Sequence, residues 1–177
     1  MARHLAGWPR AAGQLPVISV NLSARQLADD ALLPHVVAAL KRYDLAPATL
    51  GFEVTESMRI DDPAAAAGTL RSLSDLGCRV AVDDFGSGSA GLGHLRDTPF
   101  TLIKIDKSYI DALHRSEESK LLVQGVIELA HTLGAQTVAE GVEDATELEL
   151  LAALGCDHIQ GFHLGRPMDP IQFEDWL

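Results

Sequence analysis

The sequence has 177 residues, a length typical of a single domain. Hydrophobic residues make up 47% of it and charged residues 22%, which excludes a disordered chain and permits a large core. The net charge of −11 argues against a nucleic acid polymer or an anionic membrane as partner, because the overall field repels phosphates. No apolar run reaches the roughly 18 residues of a membrane span, and Cys78 and Cys156 lie far apart without a C-x-x-C motif. We therefore predict a cytoplasmic domain without membrane contact.

Short apolar runs alternate with longer amphipathic segments along the chain. The runs are continuous in apolar residues, which is typical of parallel strands buried on both faces. In chain order, the predicted strands are Val17–Leu22, Leu50–Val54, Arg79–Asp83, Leu102–Ile105, Gln136–Ala139 and His158–Gly161. The predicted helices are Leu33–Tyr43, Ala64–Leu76, Glu118–Leu133 and Thr146–Leu154. This repeated order predicts one α/β domain over residues 1–177, in which residues 1–15 form residual helix and loop before the first strand.

Six predicted strands leave two architectures open. A closed (β/α) barrel has eight strands and typically takes about 250 residues. The chain is therefore either an open, doubly wound sheet or a barrel that lacks its first two strand–helix units.

Polar or charged residues close nearly every predicted strand. The carboxyl ends of parallel strands lie on one face of the sheet, where active sites of β/α folds are built. The residues at these ends are Asn21, Glu53, Asp83 with Asp84, Lys104, Glu140 and Gln160. One such residue is explained by turn formation, since Asp and Asn favour turns. Six strand ends with four carboxylates among them predict a functional site.

The clustered carboxylates predict a metal centre. Like charges repel, so this edge of the sheet requires a compensating cation. Every candidate ligand is an oxygen, which favours Mg²⁺ or Mn²⁺ over zinc or copper. Two such ions about 3.5–4 Å apart would clamp a phosphoryl group and generate hydroxide near neutral pH. Lys104 would hold the attacking water or neutralise transition-state charge. The alternative is a plain salt bridge with Asp106, two residues further on, which does not exclude that role.

Six motifs at these strand ends resemble those of the EAL domain, a bacterial phosphodiesterase family that hydrolyses cyclic di-GMP. They are Val20-Asn-Leu-Ser23, Phe52-Glu-Val-Thr-Glu56, Asp83-Asp-Phe-Gly-Ser-Gly88, Ile103-Lys-Ile-Asp106, Val138-Ala-Glu-Gly-Val-Glu143 and Gln160-Gly-Phe-His-Leu-Gly-Arg-Pro167. The resemblance implies a TIM-like (β/α) barrel, two Mg²⁺ or Mn²⁺ ions, and hydrolysis of one phosphodiester bond to give linear pGpG. It also implies a homodimer and an upstream sensory or GGDEF-type domain in the full-length protein.

The resemblance also implies roles for individual residues. The implied metal ligands are Asn21, Glu53, Asp83, Asp84 and Glu140. The implied catalytic residues are Lys104, Glu140 and Gln160, the last of which would place water or substrate. Glu56 would anchor the glycine-rich loop after Asp84, which in the family couples the dimer interface to the metals, and Asp106 would contact the substrate.

One motif of the family is missing from the chain. The tripeptide Glu-Ala-Leu, whose Glu is a metal ligand in the family, occurs nowhere in the sequence. In the family it lies upstream of the Asn21 motif, so we expect a barrel without its first strand–helix units. The chain would then be either a piece of an ordinary enzyme or a natural fragment with exposed sheet edges. The missing ligand keeps open an alternative function, a catalytically inactive module for cyclic di-GMP binding or dimerisation.

A glycine-rich segment also matches a different function. Gly86-Ser-Gly88-Ser-Ala-Gly91 fits the dinucleotide fingerprint G-x-G-x-x-G, with Asp106 at the distance expected of the ribose-binding acid. Asp83 and Asp84 directly precede it, however, and would repel a pyrophosphate. The segment Leu92–Asp97 is also too short for the helix that the fingerprint requires, so a dehydrogenase is disfavoured.

Overall fold

The computed structural model describes residues 2–8, 15–56, 58, 62–86 and 99–176. Its strands are β1 (Ile18–Asn21), β2 (Leu50–Thr55), β3 (Arg79–Phe85), β4 (Leu102–Ile105), β5 (Gln136–Glu140) and β6 (His158–Gln160). Its α-helices are α1 (Ala2–Leu5), α2 (Ala24–Leu27), α3 (Leu32–Tyr43), α4 (Pro63–Asp75), α5 (Lys107–Asp111), α6 (Glu117–Thr132), α7 (Ala145–Ala153) and α8 (Pro170–Trp176). A 3₁₀ turn, Pro47–Thr49, precedes β2. All six predicted strands and four predicted helices are present, and their ends differ by at most two residues.

The strand order decides between the two predicted architectures. The six strands form one sheet in the order β1-β2-β3-β4-β5-β6, and each neighbouring pair is parallel. A doubly wound sheet reverses its strand order at a switch point, and this sheet does not. The sheet is a curled half-barrel of the TIM type, so the barrel prediction is confirmed and the doubly wound alternative is wrong.

Local sequence signals set the helix ends. Ser23 and Gln26 form a capping box at the start of α2, in which each side chain accepts a hydrogen bond from the backbone N–H of the other residue. Asp62 precedes Pro63 and accepts a hydrogen bond from the backbone N–H of Ala65, as an N-cap residue does. The helices α4, α6 and α7 each end just before a glycine with positive φ, namely Gly77, Gly134 and Gly155. These caps explain why the predicted and observed ends of the helices agree closely.

The core lies between the sheet and the helices on its outer side. Its fully buried members include Leu73 of α4, Val80 of β3, Ile127 of α6 and Leu151 of α7. Both cysteines are free thiols, Cys78 buried and Cys156 half-buried. No helix in the described parts of the chain is long and apolar enough to cross a membrane.

Aromatic contacts join the two ends of the described chain. The ring of Phe173 in α8 lies 4.8 Å from that of Trp8 and 5.8 Å from that of Trp176, measured between centroids. Both tryptophan rings thus pack against Phe173, although Trp176 remains 58% exposed. Residues 1, 9–14, 57, 59–61, 87–98 and 177 lie outside the described residues, and with them the Leu92–Asp97 segment and most of the glycine-rich loop.

Candidate active site

The carboxyl ends of the strands bring the predicted site residues to one edge of the sheet. Strand register pairs Asn21 on β1 with Glu53 on β2, and Glu140 on β5 with Gln160 on β6. Thr55 on β2 pairs with Asp83 on β3 in the same way. Parallel pairing in sequential order is therefore what places residues up to 139 positions apart in the sequence on a single face.

Lys104 is the centre of this face. Its Nζ lies 2.8 Å from Glu53 Oε2, 2.8 Å from Asp83 Oδ1 and 2.8 Å from Glu140 Oε1, so three strands each place one carboxylate on it. Only 5% of Lys104 is exposed. Burial alone would lower the pKa of the ammonium, but the hydrogen bonds to Asp83, Glu140 and Glu53 outweigh it and raise this pKa above its ordinary value. Lys104 is thus a buried, permanently charged cation at neutral pH.

The predicted salt bridge between Lys104 and Asp106 is wrong. Strand β4 ends at Ile105, and Asp106 is the N-cap residue of α5, where its Oδ1 accepts a hydrogen bond from the backbone N–H of Ser108 at 2.9 Å. The side chain of Lys104 points instead to the carboxylates of the neighbouring strands. The capping role of Asp106 is a contact that the sequence analysis did not foresee.

Asp83 and Asp84 lie on an irregular stretch of β3. The pairing of β3 with β4 shifts register between Val82 and Phe85, and Asp84 adopts a positive φ of 54°. A bulge of this kind re-aims side chains that would otherwise alternate across the sheet. Its result here is that Asp83, Asp84 and Glu140 each offer a carboxylate oxygen within 4.8 Å of the others.

This carboxylate cluster fits a hard divalent cation. All its donors are oxygens, the ligands that Mg²⁺ and Mn²⁺ prefer. Burial raises the pKa of Glu140, against the opposing effect of Lys104, and burial together with the charges of Asp83 and Asp106 raises that of Asp84. Burial is the larger cause of both shifts, so a cation bound beside these carboxylates would favour their charged forms.

Glu56 and Tyr109 hold the chain just after the carboxylate pair. Glu56 follows β2, and its Oε2 accepts a hydrogen bond from the backbone N–H of Gly86 at 2.7 Å. The hydroxyl of Tyr109, in α5, donates to the carbonyl oxygen of the same glycine at 2.6 Å. A contact between Glu56 and this loop was expected from the sequence, whereas the contact of Tyr109 was not. Tyr109 lies five residues after Lys104, in the helix that directly follows β4. This position is the signal that could have identified it.

The loop after β5 is tied to neighbouring elements. Lys107 forms an ion pair with Glu143, and the buried carboxylate of Glu147 accepts the backbone N–H of Glu143 at 2.8 Å. The backbone N–H of Val142 donates to the carbonyl oxygen of Gln160 at 3.1 Å. Glu140 and Gln160 therefore belong to one hydrogen-bonded unit, although the side chain of Gln160 faces solvent.

Comparison with known proteins gives the family. A family model, the EAL domain, matches residues 1–167. The cyclic di-GMP phosphodiesterase PA2567 of Pseudomonas aeruginosa is 40% identical over 175 residues, which are 98% of this chain and 30% of that protein. The chain spans 20%, 30% and 23% of the first three curated relatives that it matches, less than a third of their length.

Solved structures agree with this match. The phosphodiesterase MucR of Pseudomonas aeruginosa, solved as a cyclic di-GMP complex, has a TM-score of 0.87 at 38% identity, and the match covers 97% of this chain and 70% of that one. Full-length MucR is a bifunctional diguanylate cyclase/cyclic di-GMP phosphodiesterase, 42% identical to this chain over 151 residues. Klebsiella pneumoniae BlrP1, solved with manganese and cyclic di-GMP, has a TM-score of 0.79 at 30% identity, covering 85% of this chain and 39% of that one. On its sequence, its strand order and its carboxylate face, this chain belongs to the EAL domain family.

Proposed function

We propose that this chain carries the metal-dependent phosphodiesterase activity that hydrolyses cyclic di-GMP to linear pGpG. One observation carries the proposal: four carboxylates from three strands converge on the face where Lys104 lies, and three of them offer oxygens within 4.8 Å of one another. A cluster of this composition suits divalent cations, and bound cations would let an acidic domain accept a phosphate ester.

The proposed metal ligands are Asn21, Glu53, Asp83, Asp84 and Glu140. Mg²⁺ or Mn²⁺ held there would supply Lewis acidity toward the phosphodiester and a nucleophile at neutral pH. The cofactor proposal, two ions of either metal, is supported by the all-oxygen donor set and by the manganese in the BlrP1 complex.

The chain's own residues have separate tasks in this proposal. The ammonium of Lys104 stays charged at neutral pH and stabilises the negative charge that develops on the phosphoryl oxygens. Gln160, whose amide both donates and accepts hydrogen bonds, orients water or substrate next to Glu140. Glu56 holds the loop after Asp84, and Asp106 contacts the substrate with the part of its carboxylate that does not cap α5.

A second function is favoured by one sequence observation. The chain contains no Glu-Ala-Leu tripeptide and thus lacks the metal ligand that names the family. Loss of one ligand from a two-metal site abolishes hydrolysis more readily than nucleotide contacts. The alternative is therefore a cyclic di-GMP-binding or dimerisation module without catalysis.

The proposal extends to the surroundings of the domain. We infer one domain over residues 1–177, a homodimer, a cytoplasmic location, and a sensory or GGDEF-type domain upstream in the full-length protein. The bifunctional description of MucR supports the last of these.

Conversion of cyclic di-GMP to pGpG in the presence of Mn²⁺ tests the function. We expect turnover that depends on Mn²⁺ and that Glu140→Gln or Asp83→Asn reduces by at least about 100-fold, because each removes a charged ligand. Glu149→Gln, an exposed acid on α7, is the matched control and should keep full activity.

The alternative is decided by running the assay on this chain and on an upstream-extended version, with nucleotide binding measured separately. Turnover in the extended version alone assigns the deficit to the missing ligand. Binding without turnover in both versions supports the binding module. Wild-type turnover in Glu140→Gln would contradict the site assignment.

A further inference from the structure

The backbone of Gly86 is hydrogen-bonded to residues that follow both neighbouring strands of the sheet. Gly86 directly follows β3. Its N–H donates to Glu56, just after β2, and its carbonyl oxygen accepts from the hydroxyl of Tyr109, in the helix just after β4. The two hydrogen bonds are 2.7 and 2.6 Å long. Three successive strand ends are therefore joined at one residue.

The contact with Tyr109 is tight as well as polar. A Cβ built on Gly86 would lie 2.8 Å from Cε2 of the tyrosine ring, and Gly86 has a positive φ of 94°. The aromatic ring thus occupies the space that any other side chain at this position would require. Tyr109 is itself held by α5, which Asp106 caps one residue after β4 ends. Its hydroxyl is consequently fixed relative to Lys104 and the sheet.

Gly86 lies two residues after Asp84, whose backbone conformation needs support from its surroundings. Asp84 has a positive φ of 54°, which is unfavourable for a residue with a side chain and persists only where the surroundings hold it. On one side, the carbonyl oxygen of Asp83 accepts the backbone N–H of Glu56 at 3.0 Å. On the other side, Gly86 is held by Glu56 and Tyr109. The four residues 83–86, which we call the carboxylate turn, are thus fastened at both ends.

We propose that Tyr109 is a positioning residue for the carboxylates of Asp83 and Asp84. Its hydroxyl holds the far end of the carboxylate turn, so that both side chains keep the direction in which their oxygens meet that of Glu140. Tyr109 acts through Gly86 and does not itself bind a cation or the substrate. The part of the proposal that concerns cations rests on the proposed function.

Tyr109→Phe removes the hydroxyl and keeps the ring. The control is Tyr43→Phe at the end of α3, since the chain has two tyrosines and Tyr43 lies against Arg42, away from the strand ends. Two quantities are measured on the full chain: the Mn²⁺ affinity by calorimetry and the exchange rate of the Gly86 amide by NMR. We expect Tyr109→Phe to weaken Mn²⁺ binding and to speed this exchange, each by roughly 3- to 10-fold, the worth of one hydrogen bond. Tyr43→Phe should change neither.

Thermal unfolding separates positioning from a general structural role. We expect Tyr109→Phe to melt within a few degrees of the wild type, about the effect of one lost hydrogen bond, while its Mn²⁺ affinity falls. Unchanged affinity together with unchanged Gly86 exchange overturns the proposal, and so does a Tyr109→Phe chain that fails to fold. If neither the wild-type chain nor its upstream-extended version takes up Mn²⁺, the proposed function fails, and the exchange rate of Gly86 then decides alone whether Tyr109 holds the carboxylate turn.

Discussion

The charge balance around Lys104 gives the sharpest test of the site. Lys104→Met keeps much of the side-chain volume. It removes the only ammonium that, among the described residues, contacts Glu53, Asp83 and Glu140. Their side chains are 9%, 12% and 16% exposed, so water cannot fully solvate the charges that remain. We expect the metal-free protein to become less stable.

The size of the effect follows from burial and distance. Removal of one partner from a buried ion pair costs about 3–5 kcal/mol, because an uncompensated charge stays behind. Because Lys104 makes three contacts at 2.8 Å, the cost of removing it should lie near the upper end of this range. Proton uptake by the remaining carboxylates limits this loss of stability. We therefore expect the free energy of unfolding to fall by about 4 kcal/mol at pH 8.

The pH dependence has a definite sign. The pKa of Lys104 is raised in the folded state, so its stabilising contribution is complete at every pH below the unfolded lysine value of about 10.4. In Lys104→Met the crowded carboxylates bind protons more tightly when folded than when unfolded. The variant must therefore gain stability relative to the wild type as the pH falls from 8 to 5.

Urea unfolding in EDTA, followed by far-UV circular dichroism, measures both effects. Lys107→Met is the matched control, since Lys107 lies three residues away and its side chain is 46% exposed in an ion pair that should be worth at most about 1 kcal/mol. A loss of stability in Lys104→Met no larger than that in Lys107→Met would contradict the predicted charge balance, and so would a gap between Lys104→Met and wild type that widens on acidification.

Two further predictions concern residues outside the carboxylate face. Asp157→Asn should destabilise the fold by about 1 kcal/mol at pH 7, because Asp157 Oδ2 accepts from the backbone N–H of Thr137 at 2.8 Å and lies 2.9 Å from His131 Nε2. Burial raises the pKa of Asp157, but these hydrogen bonds outweigh it and lower this pKa. The difference in unfolding free energy between Asp157→Asn and wild type should therefore vanish as the pH falls through the lowered pKa. A constant difference down to pH 2 in urea titrations would contradict this. Gly161→Ala should lower the free energy of unfolding by roughly 1–3 kcal/mol, since the added Cβ would lie 2.1 Å from the carbonyl oxygen of Val142. The Cβ added by Gly125→Ala in α6 meets nothing within 4 Å, so this variant should raise the free energy of unfolding by about 1 kcal/mol. Equal urea midpoints for the two glycine variants would show that the close approach is wrong.

Local signals account for what could be predicted of the fold. Parallel strands buried on both faces are rich in apolar residues, and the bounds predicted from this for β2 and β4 agree with the structure to within one residue. Caps such as Ser23 and Asp62 act within four residues of themselves, so their effect can be read along the chain. Helix α5 was not predicted, because five residues are too few to show a periodicity.

The candidate site divides in the same way. Residue type and position at the strand ends were enough to predict that carboxylates from several strands share one face, since parallel strands must end on one face. The partners of Lys104 were not predictable, and the local alternative, Asp106, was wrong. Glu53 lies 51 residues away in the sequence. Its contact with Lys104 exists only because β2 and β4 lie on either side of β3 in the sheet.

The sequence by itself therefore determined the elements, the family and the chemistry of the face, because each depends on residue types and on contacts between near neighbours in the chain. The tertiary structure alone decided the curl of the sheet, the bulge at Asp83 and Asp84, and the hydrogen bonds of Gly86 to Glu56 and Tyr109. These features depend on the register between strands and on packing between distant segments, which no local pattern of residues encodes.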